Sequence, residues 1–240
     1  NSGTTILQRL LSAHPEIRTM PREGVRLTNY LKRPEDLGWT RMWNQCIEYM
    51  YKDLDNDSIS VEKIIKDWSP WWYGSGDVFL EKSVTNILRA DWLQKHFPNS
   101  YFIGITRNGF AVSSGIVSKA KPRGQVRKKL GESYLIEMAA REWVAANQLL
   151  QNYTNKLQHY TWIRYEDLVA QPEYTLNGLF KFLGLHECPV KGTDTGVMIN
   201  QTDFELWNGN AISLNRLSSD QVERIAPIIK PLHRKLGYEE

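Results

Sequence analysis

The sequence predicts an α/β protein with a mostly parallel β-sheet and helices on both faces. Three observations point there. Short runs rich in β-branched and aromatic residues, VFLEK (78–82), SYFIGITR (100–107) and QHYTWIRY (158–165), read as strands. They alternate with segments of helical period, the pattern of crossovers that lay parallel strands side by side. Two of these strand runs close on a cation, Lys82 and Arg107, and sheets of this class bind ligands at the carboxyl ends of their strands.

In chain order, NSGTT is a small turn leading into a helix, with Ile6, Leu7, Leu10 and Leu11 on one face between Thr4 and Ala13. His14-Pro15 stops it, because the residue before proline avoids the α region. Residues from about 20 to 75 read as loops and short helices carrying many aromatics, WSPWWYG (68–74) among them. The strand at 78–82 leads to a helix over 85–97 with Ile87, Leu88, Trp92 and Leu93 on one face. The strand at 100–107 ends at Arg107-Asn108-Gly109, and a helix over about 110–119 follows. Lys119, Lys121, Arg123, Arg127, Lys128 and Lys129 then crowd a stretch whose Pro122 and Gly124 argue for a loop. The longest helical pattern covers 133–153, the third strand 158–165, and an amphipathic helix 172–185. The last helix, 218–238, has Ser218 as its cap, with Pro227 and Pro231 bending or interrupting it.

At 240 residues the chain fits one domain with one substantial core. No run of about 18 apolar residues argues for a membrane span. Cys46 and Cys188 are far apart and lack metal spacing, so neither a disulfide framework nor a zinc site is implied. The tripeptides at Asn56, Asn152 and Asn200 match the glycosylation pattern and read as chance occurrences; a cytoplasmic location is the expectation. A net charge of +3 is too small to argue for nucleic acid.

Five features carry candidate chemistry. In NSGTT, Gly3 lets the backbone approach an anion closely, the N–H groups of the helix start point outward, and Ser2, Thr4 and Thr5 offer hydroxyls. The competing reading is an ordinary helix cap. Arg107 before Asn-Gly suits phosphate, since a guanidinium forks onto paired oxygens; a surface arginine in a turn is the alternative. Ser113 and Ser114, in the following helix, either donate to that phosphate or are exposed helix residues. Lys82 either reaches a bound anion or pairs with Glu81 or another charge. Glu23 is the nearest acid after the first helix and either a general base or a surface carboxylate.

GTT before a helix, HPEI at its end, FLEKS, the strand with its RNG turn, and IRYEDLVAQPEYTLNGLFKFLGL occur in this order. Together they resemble the sulfotransferase family, nearest its bacterial and tyrosylprotein-type branches. The resemblance spans nearly the whole chain except about 25–77. It implies a P-loop NTPase-like fold, a three-layer α/β sandwich around a central, mostly parallel sheet. It also implies a co-substrate, 3′-phosphoadenosine 5′-phosphosulfate, and no metal ion. By the resemblance, Asn1, Ser2, Gly3, Thr4 and Thr5 hold the 5′-phosphosulfate. Arg107 and Ser114 hold the 3′-phosphate, and Tyr165 lies near the adenine. Lys82 matches the family's catalytic lysine, and Glu23 is the candidate base. Three departures stand out. Asn1 replaces a basic loop residue, and Gly115 stands where the family has its usual serine. Leu214 takes the place of a lysine that closes over the donor, a role left to Arg216 or the basic loop.

The expectation is a single-domain sulfotransferase acting on a hydroxyl or amine of a carbohydrate or small metabolite, with about 25–77 forming the acceptor side. The rivals are a P-loop kinase, for which the loop lysine and a magnesium acid are missing, and a module of the same fold that binds nucleotide without turnover, which Asn1 favours and Lys82 and Arg107 oppose. A nucleic-acid binder has only the basic stretch to support it.

Overall fold

Apolar residues at 7, 10 and 11 give helix α1 (Thr4–Leu11) a buried face, with Leu10 and Leu11 almost wholly enclosed. Each such leucine contributes roughly 1.5–3 kcal/mol by burial. After His14-Pro15 the chain enters β1 (Ile17–Thr19), three residues and too short to be read from periodicity. The computed structural model describes residues 2–52 and 60–238; Asn1 and the tripeptide at Asn56 lie outside them.

Between about 20 and 75 the described part of the chain has the expected loop-and-short-helix character. Its elements are 3-10 turns at Gly24–Arg26, Pro34–Leu37, Trp43–Cys46 and Ser69–Trp71, with helices α2 (Ile47–Tyr51) and α3 (Val61–Trp68). Indole rings hold it together. Trp43 and Trp68 are buried, and Trp68, Trp72 and Phe79 pack edge to face with centroids 6.4 and 5.0 Å apart.

Strand β2 (Val78–Leu80) pairs in parallel with β1, Ile17 opposite Val78. The helix expected over 85–97 is two elements, a 3-10 segment Val84–Leu88 and helix α4 (Ala90–His96). They part at Arg89, whose guanidinium turns inward and donates to the Lys32 carbonyl at 2.9 Å. Strand β3 (Phe102–Thr106) pairs in parallel with β4 (Tyr160–Arg164) along its whole length. Between them come α5 (Gly109–Lys119), α6 (Gly124–Leu130) and α7 (Ile136–Tyr153). Helix α6 occupies the stretch expected to be a loop. Its Val126 is buried, and Arg127, Lys128 and Lys129 sit in its last turn, where cations complement the helix dipole.

The single sheet expected from the sequence is present as two separate parallel pairs, β1–β2 and β3–β4. A cavity of about 1420 Å³ runs between them, lined by Ile17, Val78 and Leu80 on one side and Ile103 and Ile105 on the other. Helices α8 (Tyr165–Ala170) and α9 (Pro172–Phe182) follow β4. Next is an antiparallel meander the sequence reading lacks: β5 (Val190–Thr193), β6 (Gly196–Ile199) and β7 (Thr202–Glu205). Its second turn, Asn200-Gln201, has φ 44° and 66°, the two-residue hairpin geometry that matches strand twist.

Helix α10 (Asn210–Leu214) leads to α11 (Ser219–Lys235). Ser218 caps α11 as expected, accepting from the Gln221 N–H while Gln221 reaches back to the Ser218 N–H. Pro227 and Pro231 do not interrupt it. Both lie on the exposed face, where carbonyls freed of a partner meet water, while Ile225, Ile229 and Leu232 pack inward. Helices α5, α7 and α11 enclose the largest apolar cluster, with Ile116, Trp143 and Ile229 at its heart.

Candidate active site

The site assembles at the N-terminus of α1. Gly3 has φ 100°, a conformation an L side chain adopts only with strain, and a Cβ there would lie 2.6 Å from Tyr165 Cδ2. The first intrahelical bond runs from the Leu7 N–H to the Gly3 carbonyl at 3.0 Å. The N–H groups of Thr4, Thr5 and Ile6 therefore precede the ladder and aim out of the helix, at its positive end. Ser2, Gly3, Thr4 and Thr5 all line the cavity, as do Glu23, Lys82, Arg107, Tyr165 and Arg216.

Lys82 stands two residues beyond β2. Its ammonium pairs with Glu23, Nζ to Oε1 at 3.0 Å, and both side chains are largely shielded from water. Its sequence neighbour Glu81, the alternative partner, turns away into hydrogen bonds of its own. The second oxygen of Glu23 faces Arg26 Nε at 3.4 Å. Each carboxylate oxygen retains a further lone-pair site, so Glu23 can accept a proton without first losing Lys82.

Arg107 follows β3 and is held by Asn210, Tyr165 and Trp143, among others. Its Nε donates to Asn210 Oδ1 at 2.7 Å, its guanidinium lies 4.3 Å from the centroid of the Tyr165 ring, and its carbonyl accepts from Trp143 Nε1 at 2.9 Å. Glu166 ties these parts together. Its Oε1 accepts from the Asn108 N–H at 2.9 Å and from Asn210 Nδ2 at 2.7 Å, and its Oε2 from the Tyr238 hydroxyl at 3.0 Å. Behind them, the start of α5 is buttressed by His233, whose Nε2 accepts from the Gly109 N–H at 3.1 Å. Burial pushes the His233 imidazolium down to about 4, which keeps the ring neutral and able to accept.

Tyr165 is a spacer between the two halves. One edge abuts Gly3, its face supports Arg107, and its hydroxyl donates to the Trp207 carbonyl at 2.9 Å. Ser114 stands apart from the other predicted residues. Its buried hydroxyl donates to the Ser213 carbonyl at 2.6 Å, and Ser213, not Ser114, lines the cavity. Arg216 is at the exposed rim, 3.5 Å from the Ser118 hydroxyl. Asn1 lies outside the described residues.

Sequence reasoning missed Arg26, Glu166 and Asn210. Glu166 follows directly on Tyr165 in RYED, the one signal that could have found it; nothing in the sequence ties residue 210 to residue 107.

Backbone N–H groups, hydroxyls and a guanidinium in one cleft form a donor set that suits an anion with phosphate- or sulfate-like oxygens at both ends. Among the described residues no group of His, Cys, Asp and Glu has the arrangement to hold a metal ion, and no helix is long and apolar enough to cross a membrane.

Comparison with known proteins agrees with this chemistry. Residues 1–188 match the model of the "Sulfotransferase family". Protein-tyrosine sulfotransferase 1 of Danio rerio is 26% identical, over 99% of this chain and 70% of its own length. Protein-tyrosine sulfotransferase 2 of Gallus gallus is 23% identical, over 99% of this chain and 67% of its own. In fold, the chain resembles the sulfotransferase domain from the curacin biosynthetic pathway. The TM-score is 0.56 at 19% identity, covering 99% of this chain and 94% of that one. The helix-end anion cradle, its flanking cations and the match over most of the sequence make this chain a member of the sulfotransferase family, an enzyme that uses 3′-phosphoadenosine 5′-phosphosulfate.

Proposed function

We propose that this chain transfers the sulfuryl group of that donor to a hydroxyl of a carbohydrate or small metabolite by in-line displacement. It does so as a single domain of the three-layer, P-loop NTPase-like type. The observation that carries the reading is the 3.0 Å pair of Lys82 Nζ and Glu23 Oε1, facing the same cleft as the N-terminus of α1.

When bound, the donor supplies an activated sulfuryl group on a nucleotide handle. The N–H groups of Thr4, Thr5 and Ile6 and the hydroxyls of Ser2, Thr4 and Thr5 hold the phosphosulfate oxygens, and Asn1 adds a neutral amide. The guanidinium of Arg107 takes the 3′-phosphate, Tyr165 lies beside the nucleoside, and Arg216 closes the rim. Ser114 contributes through Ser213. As the acceptor oxygen forms its bond to sulfur, Glu23 takes the hydroxyl proton. As the bond from sulfur to the bridging oxygen breaks, Lys82 meets the negative charge that grows there. A loose transition state of this kind is accelerated by positioning and charge stabilisation, and one well-placed group is worth about 10²–10³ in rate.

The described part of region 25–77 forms the acceptor side, where Trp68 and Trp72, with Phe79 of β2 beside them, line the cleft. A second reading, a tyrosine in a protein, is supported by the names of the two relatives. A small surface pocket of about 360 Å³, lined by Arg22, Arg26 and Trp71 along with Asp67, also offers two cations to acidic flanks.

Labelled donor offered with a hexosamine, a simple phenol and an acidic tyrosine peptide separates the two. Lys82→Ala is expected to cut turnover by at least a hundredfold with adenosine 3′,5′-bisphosphate affinity within about twofold. Undiminished turnover in that variant removes Lys82 from the mechanism.

A further inference from the structure

Glu23 and Lys82 come from segments 59 positions apart, and neither lies in an element long enough to fix it. Glu23 precedes the three-residue turn Gly24–Arg26, and Lys82 lies between a three-residue strand and a 3-10 segment. Something else must hold their separation. We propose that Glu81 is the positioning residue of this enzyme, a carboxylate that locks the backbone next to the catalytic glutamate onto the backbone next to the catalytic lysine.

The contacts are specific. Glu81 Oε1 accepts from the Gly24 N–H at 2.8 Å and from the Ser83 hydroxyl at 2.5 Å. Ser83 Oγ in turn accepts from the Val25 N–H at 3.0 Å. Glu81 Oε2 accepts from Asn86 Nδ2. The two N–H groups at the start of the Gly24 turn, which its own ladder leaves without partners, are thus taken by residues flanking Lys82. From the other side, Trp68 Nε1 donates to the Gly24 carbonyl at 2.9 Å. The approach is close enough to require glycine, for a Cβ on residue 24 would lie 2.7 Å from Glu81 Oε1 and 2.9 Å from Trp68 Cζ2.

Three donors converge on the one carboxyl, so the cross-link does not depend on a single contact. Burial raises the Glu81 carboxyl above the usual carboxylate range, and the hydrogen bonds from Ser83, Gly24 and Asn86 pull it back. Arg89, deeply buried, adds an attractive charge. Glu81 acts on the reaction only through its neighbours. In Glu81→Gln the amide oxygen keeps the Gly24 and Ser83 contacts, and Asn86 can turn its own amide to accept from the new NH₂. Glu81→Ala leaves Gly24, Val25 and Ser83 without the anchor, and a misplacement of about 1 Å costs roughly a hundredfold in rate.

This inference rests on Glu23 and Lys82 being the reacting pair, so Lys82→Ala is measured beside Glu81→Ala, Glu81→Gln and Gly24→Ala. Each variant is read by kcat and KM with the best acceptor of the panel above, by adenosine 3′,5′-bisphosphate affinity, and by hydrogen exchange. Glu81→Ala is expected to lose about a hundredfold in kcat with nucleotide affinity within about twofold, and to exchange at least tenfold faster over 23–26. Glu81→Gln is expected to recover most of the rate, and Gly24→Ala, which wedges the same contact from the other side, to repeat the kcat loss. Should Glu81→Ala fail to fold, Gly24→Ala and Glu81→Gln decide. Turnover within threefold of wild type in both Glu81→Ala and Gly24→Ala, or nucleotide affinity falling in step with kcat, overturns the proposal. If Lys82→Ala is inactive while they are active, only the role of Glu81 fails; if Lys82→Ala is active, the reacting pair fails with it.

Discussion

Gly3→Ala tests the whole donor end with one methyl group. At φ 100° an alanine takes up a left-handed strain of about 1–2 kcal/mol. Its Cβ also enters space already filled, 2.6 Å from Tyr165 Cδ2 and 3.2 Å from Ile105 Cδ1. The Tyr165 ring cannot simply swing away. Its hydroxyl is bonded to the Trp207 carbonyl at 2.9 Å, and Arg107 lies over its face. Forcing a methyl into such a packed site costs about 1–3 kcal/mol. The sum is about 2–5 kcal/mol, a large share of the ~5–15 kcal/mol typical of a domain. A central value of about 3 kcal/mol lowers the Tm by roughly 6–12 °C for a chain of this size. Relief comes through the N-terminus of α1 or through Tyr165 and Arg107, so nucleotide binding weakens by at least about tenfold alongside. Urea unfolding followed by tryptophan fluorescence gives the first number, and calorimetry with adenosine 3′,5′-bisphosphate the second. Gly178→Ala is the control, on the exposed face of α9 with nothing within 4 Å of the new Cβ; it is expected to stabilise by about 0.5–1 kcal/mol. Gly3→Ala with a stability loss under about 1 kcal/mol and unchanged affinity would refute the reasoning.

Two more predictions concern charge. Arg107→Lys keeps the positive charge but loses the fork and the stacking on Tyr165, so nucleotide affinity should fall about ten- to hundredfold while kcat at saturating donor changes little; an unchanged affinity means that charge alone matters there. Glu142 is buried on α7, accepts from the Trp43 and Asn44 N–H groups at 3.2 and 3.1 Å, and is pushed by burial up to about 8. A carboxyl raised in the folded state holds its proton there while the unfolded chain releases it, so stability falls as pH rises between the two values. His233, shifted down to about 4, changes stability only below its ordinary value of 6.5, which leaves the window from 6.5 to 8 to the raised carboxyls. Over those 1.5 pH units, at about 1.4 kcal/mol each, wild type should lose about 2 kcal/mol that Glu142→Gln does not. Denaturant curves at both ends that shift equally in wild type and variant remove Glu142 as the source.

The legible parts of this sequence were those whose physics is local. Helix α7 follows from its helical pattern, strands β3 and β4 from β-branched and aromatic composition, the α11 cap from Ser218 at its start, and the NSGTT turn from a glycine before a run of small hydroxyl residues. Helix α6 was hidden because Pro122 and Gly124 punctuate its start, while the burial of Val126 that decides the matter is tertiary. The meander β5–β7 was hidden because its strands have four residues each, too few to show a period, and only Val197 and Ile199 among them are fully buried. In the site, single residues such as Arg107 and Lys82 stood out by type and by place at strand ends. Their partners did not. Lys82 found Glu23 rather than the adjacent Glu81, and Arg107 found Asn210 from the far end of the chain.

Those hidden partners share a physical logic. Around this cleft the backbone is mostly short turns, which cannot nucleate alone because one hydrogen bond does not offset the fixing of several dihedrals. Their first N–H groups are left without partners, and a nearby carboxyl group, with two oxygens, can accept from more than one of them. Glu142 takes the start of the Trp43 turn, and Glu81 the start of the Gly24 turn. Glu166 takes the N–H of Asn108, the cap of α5, and binds Asn210 at the same time. Each of the three joins segments more than fifty positions apart, and Glu81 and Glu166 act next to a cation assigned to the donor, Lys82 and Arg107. Such anchors give precision without a long rigid element, and burial lessens the negative charge they bring to an anion-binding cleft by raising the Glu81 carboxyl and pushing Glu142 up to about 8. The oxygens of these three carboxyls are engaged by N–H and O–H donors of their own, while Lys82 and Arg107 line the cleft. In this site the acids set positions and the bases meet the substrate, with Glu23 the exception that its chemistry requires.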